Sequence, residues 1–467
     1  MARVLIVGAG MGGLSTAIML ARDGHAVTVV ERDPARAPGP ERADEAWDRW
    51  DRRGVNQFRL PHFMQPQWWS HVCAEIPEAR GPLEAAGTLR ANMVEMLPES
   101  VRGPVRPDDT RFDIVTGRRP VLEAALSAAA DAVGVEVRRG VTVTGLDTRE
   151  GTGVPHVTGV TTADGTLAAD LVVDCAGRRS KVGEWLVAVG ARPPVEERLD
   201  SGYVYYGRHF RSPAGPPVAL SWVHQFYPSL SILTLPSDND TWSVVFIVSG
   251  RDKELRGLHD ADRWTAALTL YPTVAHWTDG EPITGIDALA GIEDRFRRLS
   301  VDGQPVATGV VVVGDSWACT NPSLGRGATI ALIHARVLRD VLRHVDADDH
   351  ARLARRFDQA TTEVVEPMYR ATRWFDGHRL AEIDADIAGV PYETDDVRWR
   401  MATALATAAA REPELARSFL ALGGMVATPD EIFAQPGVAD RVIAAGMPGP
   451  RYVQPGPDRA TLLKTVA

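Results

Sequence analysis

A glycine-rich turn near the start of the chain constrains the fold more strongly than any other feature. The apolar run at residues 4–7 predicts a buried strand, and Gly8-Ala-Gly-Met-Gly-Gly13 follows it directly, before apolar residues at helical spacing. In this pattern the first glycine makes the tight turn and the second lets a pyrophosphate approach the backbone. The third lets the helix pack closely on the strand. Free N–H groups at the start of the helix favour a bound phosphate. The turn therefore predicts a dinucleotide-binding β-α-β unit.

The second strand of this unit supports the same interpretation. Residues 26–30 are apolar or β-branched, and the strand ends at Glu31, eighteen residues after Gly13. An acidic side chain at this place accepts hydrogen bonds from the ribose hydroxyls of a dinucleotide. The alternative is a glycine-rich turn that only packs a helix on a sheet. The residues predicted to contact the dinucleotide are Gly8, Gly10, Met11, Gly12, Gly13, Glu31 and Arg32.

The rest of the chain changes character along its length. Residues 119–134 have helical spacing, and residues 135–175 contain several short strand-like runs. Aromatic and β-branched residues dominate from about 200 to 300, including 220–222, and predict a second sheet. After residue 345 the composition turns rich in Ala and Arg, and 402–422 has a helical pattern. The predicted fold class is α/β, or α+β overall.

A second glycine turn follows four valines at residues 310–313. Gly314-Asp315 comes first, then Pro322, then Gly325-Arg-Gly327 at the start of a predicted helix. This spacing resembles the second flavin fingerprint of the para-hydroxybenzoate hydroxylase superfamily. The resemblance implies that Asp315 accepts a hydrogen bond from the ribityl chain of FAD. It also implies that the helix start stabilises negative charge on the reduced flavin. The implied FAD contacts are Gly314, Asp315, Pro322, Gly325, Arg326, Gly327 and Ala328.

Three further stretches resemble one branch of that superfamily, which holds bacterial alkene epoxidases, squalene-epoxidase-like and geranylgeranyl-reductase-like proteins. They are residues 52–62, with Asn56 in place of the usual Pro, residues 117–123, and residues 170–180, with Ala176 in place of the usual Asp. The resemblance covers roughly residues 1–345. It adds Arg53, Arg119, Val143 and Gly177 to the implied FAD-binding residues.

The resemblance also implies how the domains are arranged. A discontinuous Rossmann-like FAD-binding domain is expected from residues 1–185 and 300–345. A mixed β-sheet substrate domain is expected at 186–299, with parts of 50–110, and a helical C-terminal region at 346–467.

The implied reaction is insertion of one oxygen atom from O2 into a hydrophobic small molecule of a biosynthetic pathway. This hydroxylation or epoxidation would proceed through a flavin hydroperoxide, which must be kept from water and close to the substrate. Aromatic side chains on the second sheet suit both tasks, although such side chains also form ordinary cores. The pocket residues predicted on this ground are Tyr206, Trp222, His224, Phe226 and Trp242. No catalytic residue is assigned, and Cys319 is interpreted as a buried small apolar residue.

The source of electrons and several alternative functions stay open at this point. The electrons for FAD come either directly from NAD(P)H or from a partner flavin reductase, and Ala176 weakens the case for direct use. A flavin-dependent C=C reductase or saturase, a halogenase-like flavoenzyme and a non-catalytic flavin-binding protein are the alternatives. The halogenase motif W-x-W-x-I-P is absent from the sequence. A NAD-dependent dehydrogenase would leave residues 314–327 unexplained.

The composition excludes several other classes. The 51 basic and 61 acidic residues give a net charge of −10 without a basic run, which argues against nucleic-acid binding. The sequence contains no H-E-x-x-H or similar spacing, so we expect no metal site. The sequence contains no run of about eighteen apolar residues, so we expect no membrane span. The three cysteines form no C-x-x-C pair, so we expect no disulfide framework and a cytoplasmic location.

Overall fold

The computed structural model describes residues 1–55, 57–151, 153–447 and 452–467. Asn56, which belongs to one of the family-like stretches, lies outside the described residues. The strands of the described chain are β1 (Arg3–Val7), β2 (Ala26–Glu31), β3 (Leu89–Asn92), β4 (Asp113–Thr116), β5 (Glu136–Arg139), β6 (Val143–Arg149), β7 (His156–Thr162), β8 (Gly165–Ala168), β9 (Leu171–Asp174), β10 (Val195–Asp200), β11 (Tyr203–Arg211), β12 (His224–Tyr227), β13 (Leu230–Pro236), β14 (Thr241–Ser249), β15 (Glu281–Pro282), β16 (Asp287–Leu289), β17 (Glu293–Arg298), β18 (Ser300–Val301), β19 (Gln304–Pro305), β20 (Val310–Val312) and β21 (Ala318–Cys319).

The helices are α1 (Met11–Arg22), α2 (Ala43–Asp48), α3 (Pro66–Glu75), α4 (Arg80–Ala85), α5 (Glu99–Arg102), α6 (Arg119–Ala132), α7 (Val182–Ala188), α8 (Ala261–Thr269), α9 (Gly327–His344), α10 (His350–Val364), α11 (Glu366–Ala388), α12 (Val397–Ala409), α13 (Pro413–Gly423), α14 (Pro429–Phe433), α15 (Val438–Gly446) and α16 (Arg459–Val466).

A parallel sheet has the strand order β20-β9-β1-β2-β5. Strands β1, β9 and β20 consist mainly of valine, leucine and isoleucine, as expected for strands that are covered on both faces. Helix α1 contacts both α6 and α9. Because the strands are parallel, the turns that follow β1, β9 and β20 lie at the same edge of the sheet. This arrangement brings together two glycine turns that are far apart in the sequence.

A six-stranded antiparallel sheet is built mainly from β11 to β14, with β15 and β16 on β11. One face packs on α8 and α16 in an aromatic core, and the other face contributes to the cavity described below. The strand predicted at residues 220–222 is wrong, because these residues form bends and irregular chain before β12. Smaller sheets pair β6-β7-β8, β10-β17-β21, β3-β4 and β18-β19.

The C-terminal part of the chain is helical from α10 to α16. The predicted helix at 402–422 is instead two helices, α12 and α13, because Pro413 begins the second one. Helices α12 to α15 share a hydrophobic core with residues 93–97, residues 112–114 and Leu235 of β13. The domain limits given above stay a prediction. None of the helices in the described part of the chain is long and apolar enough to cross a membrane.

Candidate active site

A cavity of about 1250 Å³ joins the parallel sheet to the antiparallel sheet. Residues that follow β1, β9 and β20 line one end of it. Side chains of β11 to β14 and of helices α11 to α13 line the other end. The same space therefore contacts both glycine turns and an aromatic wall.

The first glycine turn has the geometry that its spacing predicts. Gly8 adopts a φ of +104°, and a Cβ there would lie 2.6 Å from the carbonyl oxygen of Cys175. A Cβ on Gly13 would lie 1.9 Å from the carbonyl oxygen of Gly8. Gly10 differs from these two glycines. The atom nearest to a Cβ added at Gly10 would be Oε1 of Glu123, at 4.0 Å, and Gly10 lines the cavity. No side chain caps the N-terminus of α1, so its N–H groups are open to a phosphate.

Glu31 lies in a buried network just behind this turn. Its Oε2 accepts from the N–H of Ala9 at 2.8 Å, and its Oε1 accepts from the N–H of Asp33 at 3.0 Å. The guanidinium of Arg52, only 2% exposed, pairs with the carboxylates of both Glu31 and Glu123. Burial opposes ionisation of Glu123, but the charges of Arg52 and its neighbour Arg119 outweigh it and lower the pKa of Glu123. Glu31, Arg52 and Glu123 do not line the cavity themselves, so the network supports the glycine turn from behind.

The structure separates three of the four predicted arginines, Arg32, Arg53 and Arg119. The side chain of Arg53 is 93% exposed and contacts Asp51 at 3.3 Å, so Arg52 is the arginine that lies inside. Arg32 donates to the carbonyl of Gly54 at 2.9 Å and does not line the cavity. Arg119 does line the cavity, where it donates to Glu123 at 2.8 Å. Arg52 and Arg53 are adjacent and of the same type, so the sequence alone could not show which of them is buried.

The second glycine turn lines the cavity from Gly314 to Ala328. Gly314 has a φ of +64° and Gly325 a φ of +62°, both in the left-handed region that favours glycine. Asp315 lines the cavity and is exposed to its open space. Desolvation by the protein around this cavity raises the pKa of Asp315, and the charges of nearby arginines, the first of them Arg119, counteract the rise. Met11, Gly12, Pro322, Arg326, Gly327 and Ala328 line the same space.

In the third family-like segment, residues 170–180, the acidic side chain of Asp174 is buried. Asp174 is 1% exposed and accepts from the N–H of Ala176 at 2.9 Å and from the hydroxyl of Ser180. It does not line the cavity, whereas Gly177 does. Val143 lies at the start of β6, outside the cavity lining.

The antiparallel sheet divides the predicted pocket residues into two groups. Trp222, His224 and Phe226 line the cavity. Trp242 and Tyr206 do not, because strand side chains alternate between the two faces. Trp242 is fully buried, stacks on Phe210 at 5.9 Å and donates to the carbonyl of Trp277. Tyr205 and Gly207, the neighbours of Tyr206, face the cavity in its place.

The C-terminal helices form a wall that the sequence did not reveal. Phe375 of α11, Trp399 of α12 and Phe419 of α13 all line the cavity. Phe419 contacts Trp222 with ring centroids 4.8 Å apart, and Phe375 contacts Phe226 at 6.1 Å. Aromatic residues within Ala-rich helices were the only available signal, and they are equally typical of an ordinary helical core.

Three titratable groups at the cavity are held in their neutral forms. Burial lowers the pKa of His224 to about 3 and that of His62 to about 4. Nδ1 of His62 lies 2.8 Å from the carbonyl of Leu60, which favours the tautomer with Nε2 as acceptor. Burial raises the pKa of the Cys319 thiol to about 11, so it is a poor nucleophile at neutral pH.

Comparisons with known proteins agree with this geometry. Residues 3–41 match the family model described as FAD dependent oxidoreductase. Protein Rv3254 of Mycobacterium tuberculosis is 30% identical over 44% of this chain and 43% of its own. The aklavinone 12-hydroxylase RdmE of Streptomyces purpurascens is 34% identical over 39% of this chain and 34% of its own. The chain therefore spans less than half the length of these two relatives.

Solved structures extend the likeness to most of the chain. PqsL of Pseudomonas aeruginosa, described as a probable FAD-dependent monooxygenase, superposes with a TM-score of 0.59 at 17% identity. The match covers 83% of this chain and 98% of that one. 2-Methyl-3-hydroxypyridine-5-carboxylic acid oxygenase gives a TM-score of 0.55 at 17% identity, over 82% and 92% of the two chains. The chain thus shares the α/β fold of these two proteins, and a helical region forms its C-terminal part.

Proposed function

We propose that this protein is an FAD-dependent monooxygenase that inserts one atom of O2 into a hydrophobic small molecule. The observation that carries the proposal is the continuity of the cavity, which runs from both glycine turns to an apolar aromatic wall. A protein that only stored flavin would need the first part and not the second. The family match and the fold likeness support FAD as the cofactor.

The residues at the turns fit FAD. The open N-terminus of α1 beside Gly10 suits the pyrophosphate, and the network of Glu31 and Arg52 suits the adenosine ribose. Asp315 faces the cavity where the ribityl chain would pass, and the N-terminus of α9 at Gly327 suits the flavin ring. FAD bound there would supply the redox chemistry that activates O2.

The aromatic wall suits the rest of the reaction. Trp222, Phe226, Phe375 and Phe419 give the far end of the cavity an apolar surface that excludes water. The same surface favours a hydrophobic substrate with an electron-rich ring or double bond. Neutral His224 would offer this substrate a hydrogen-bond partner without a charge. We expect cavity shape, rather than charge, to orient the substrate.

Hydroxylation is the preferred reaction, because RdmE is named a hydroxylase. Epoxidation is the second candidate, since several motifs resemble the squalene-epoxidase-like branch. We expect NAD(P)H to reduce the flavin directly, and a partner flavin reductase is the alternative.

An absorbance experiment tests the proposal. The purified protein should show flavin bands near ~370 and ~450 nm, which bleach with NADPH without oxygen and return in air with release of peroxide. Bleaching by dithionite but not by NADPH would indicate a separate reductase. Reoxidation of the reduced flavin by an added unsaturated compound, without O2, would favour a C=C reductase. A colourless protein that takes up no added FAD would refute the proposal.

A further inference from the structure

A buried acidic residue stands directly behind the loop that leads into α9. Asp376 of helix α11 is 4% exposed, and its Oδ1 accepts from the hydroxyl of Ser323. Its Oδ2 is buried and has no partner with good hydrogen-bond geometry among the described residues, although the side chain of Asn321 lies close enough to favour the carboxylate. Ser323 lies between Pro322 and Gly325, in the part of the second glycine turn that we assign to the flavin ring. We call residues 321–327 the flavin loop.

The flavin loop is also held from the antiparallel sheet and from β17. The hydroxyl of Tyr205 donates to Oδ1 of Asn321 at 2.6 Å, and the N–H of Asn321 donates to Asp294 at 2.7 Å. The hydroxyl of Tyr203 donates to the backbone carbonyl of Asp376 at 2.8 Å. The carboxyl groups of Asp376 on α11 and Asp294 on β17 therefore both hold the flavin loop, on the side away from the cavity.

The charges around Asp376 do not compensate a negative charge on it. From the N-cap of α9, the guanidinium of Arg326 faces the same region, but its donors go to Thr372 and to the carbonyl of Leu422. Asp294 adds repulsion from β17. On α11 itself, Arg373 pairs with Glu197 and Arg379 pairs with Glu382.

The titration of Asp376 follows from these surroundings. A buried carboxylate with one unsatisfied oxygen is unfavourable, so the neutral acid is preferred. Burial, helped by Asp294, raises the pKa of Asp376 to about 7. Hydrogen bonding from the side chains of Ser323 and Asn321 and the charge of Arg326 act in the opposite direction.

We propose that Asp376 is a positioning residue that exchanges a proton close to neutral pH and holds the flavin loop against helix α11 through Ser323. Its deprotonation, which releases H⁺ to solvent, places a negative charge behind the loop and makes reduction of the bound flavin less favourable. The reduction itself takes up two electrons and one proton and leaves one negative charge at the flavin. This inference rests on the proposed function, because it requires FAD at the loop.

The test compares the midpoint potential of bound FAD from about pH 6 to about pH 9 in the wild type and in Asp376→Asn. The asparagine keeps the shape and a bond to Ser323 but never ionises. We expect equal potentials at the acidic end and a wild-type potential that becomes progressively more negative than that of the variant above neutral pH. A difference that stays constant across the range, or none at all, would overturn the inference.

Two further variants make the result unambiguous. Asp384→Asn alters another carboxyl of α11, which bonds Ser249 rather than the loop, and should follow the wild type. Ser323→Ala removes a hydrogen bond that favours the carboxylate form of Asp376. The pH above which the midpoint potential falls below that of Asp376→Asn should therefore be measurably higher in this variant than in the wild type. An unchanged transition in Ser323→Ala would contradict the inference even if Asp376→Asn failed to fold. A wild type without bound FAD would contradict the proposed function instead.

Discussion

The guanidinium of Arg52 forms a buried ion pair with the carboxylate of Glu31, at the end of the second strand of the β-α-β unit. Arg52 is held on its other side by Glu123 of α6 and by the carbonyl of Ala9 at 2.9 Å. The acidic residue expected to bind a ribose is thus itself held in place by a residue that the sequence did not single out. This pair explains how the turn after β1 keeps its shape.

Loss of Arg52 should weaken both the fold and cofactor binding. Arg52→Met leaves the buried carboxylate of Glu31 without its cation and that of Glu123 with Arg119 alone, which should cost about 3–5 kcal/mol of unfolding free energy. Urea denaturation and FAD titration would measure the two effects. Arg53→Ala is the matched control, and because its side chain is exposed we expect a change within about 0.5 kcal/mol. Equal losses in both variants would contradict the assignment.

Blocking the first glycine turn should abolish FAD binding without unfolding the protein. A Cβ on Gly10 meets nothing closer than 4.0 Å, so Gly10→Val should fold, while its side chain enters the space assigned to the pyrophosphate. The flavin absorbance of the purified variant should be lost, with an unchanged far-UV circular dichroism spectrum. Gly377→Ala, on the exposed side of α11 with nothing within 4 Å, should retain its flavin. A yellow Gly10→Val protein would place the cofactor elsewhere.

The two faces of the antiparallel sheet should respond differently to loss of a tryptophan. Trp242→Ala empties a core site and should cost about 3–5 kcal/mol of stability in denaturant unfolding. Trp222→Ala should cost much less, since its side chain lines the cavity. Binding of a naphthalene-based fluorescent dye should weaken about tenfold in Trp222→Ala. The assignment of faces fails if the dye affinity falls only in the Trp242 variant.

Replacement of Asp376 should stabilise the protein above neutral pH. The pKa of this group is 3.8 when exposed and about 7 in the fold, so folding favours the protonated form. The wild type therefore loses stability as pH rises from about 4 through 7, and Asp376→Asn does not. At about pH 8 the variant should be more stable by at most about 4 kcal/mol, with no such gain near pH 4. Thermal unfolding at both pH values measures this, and a gain independent of pH would contradict it.

The local parts of the cofactor site were predictable from the sequence. The contacts of Gly8 and Gly13 lie within one turn or against a neighbouring strand, and such positions exclude every side chain larger than hydrogen. The same holds for Gly314 and Gly325, whose left-handed conformations favour glycine. A sequence records these constraints directly, because each position tolerates only one residue type.

The aromatic wall of the cavity was predicted only in part. Trp222, His224 and Phe226 line the cavity as expected, whereas Trp242 and Tyr206 lie on the opposite face. Both faces of this sheet are covered by protein, so both carry apolar residues and the alternation gives no sign of which face is the pocket.

The sequence by itself determined the β-α-β unit, the second glycine turn and the resemblance to flavin-dependent enzymes, because short-range steric and hydrogen-bonding needs leave a local record. Only the tertiary structure decided that Arg52 rather than Arg53 lies inside and that helices α11 to α13 close the cavity. It alone placed Asp376 behind Ser323. These outcomes depend on contacts between distant segments, and burial at such contacts is set by how whole layers pack rather than by the residues nearest in sequence.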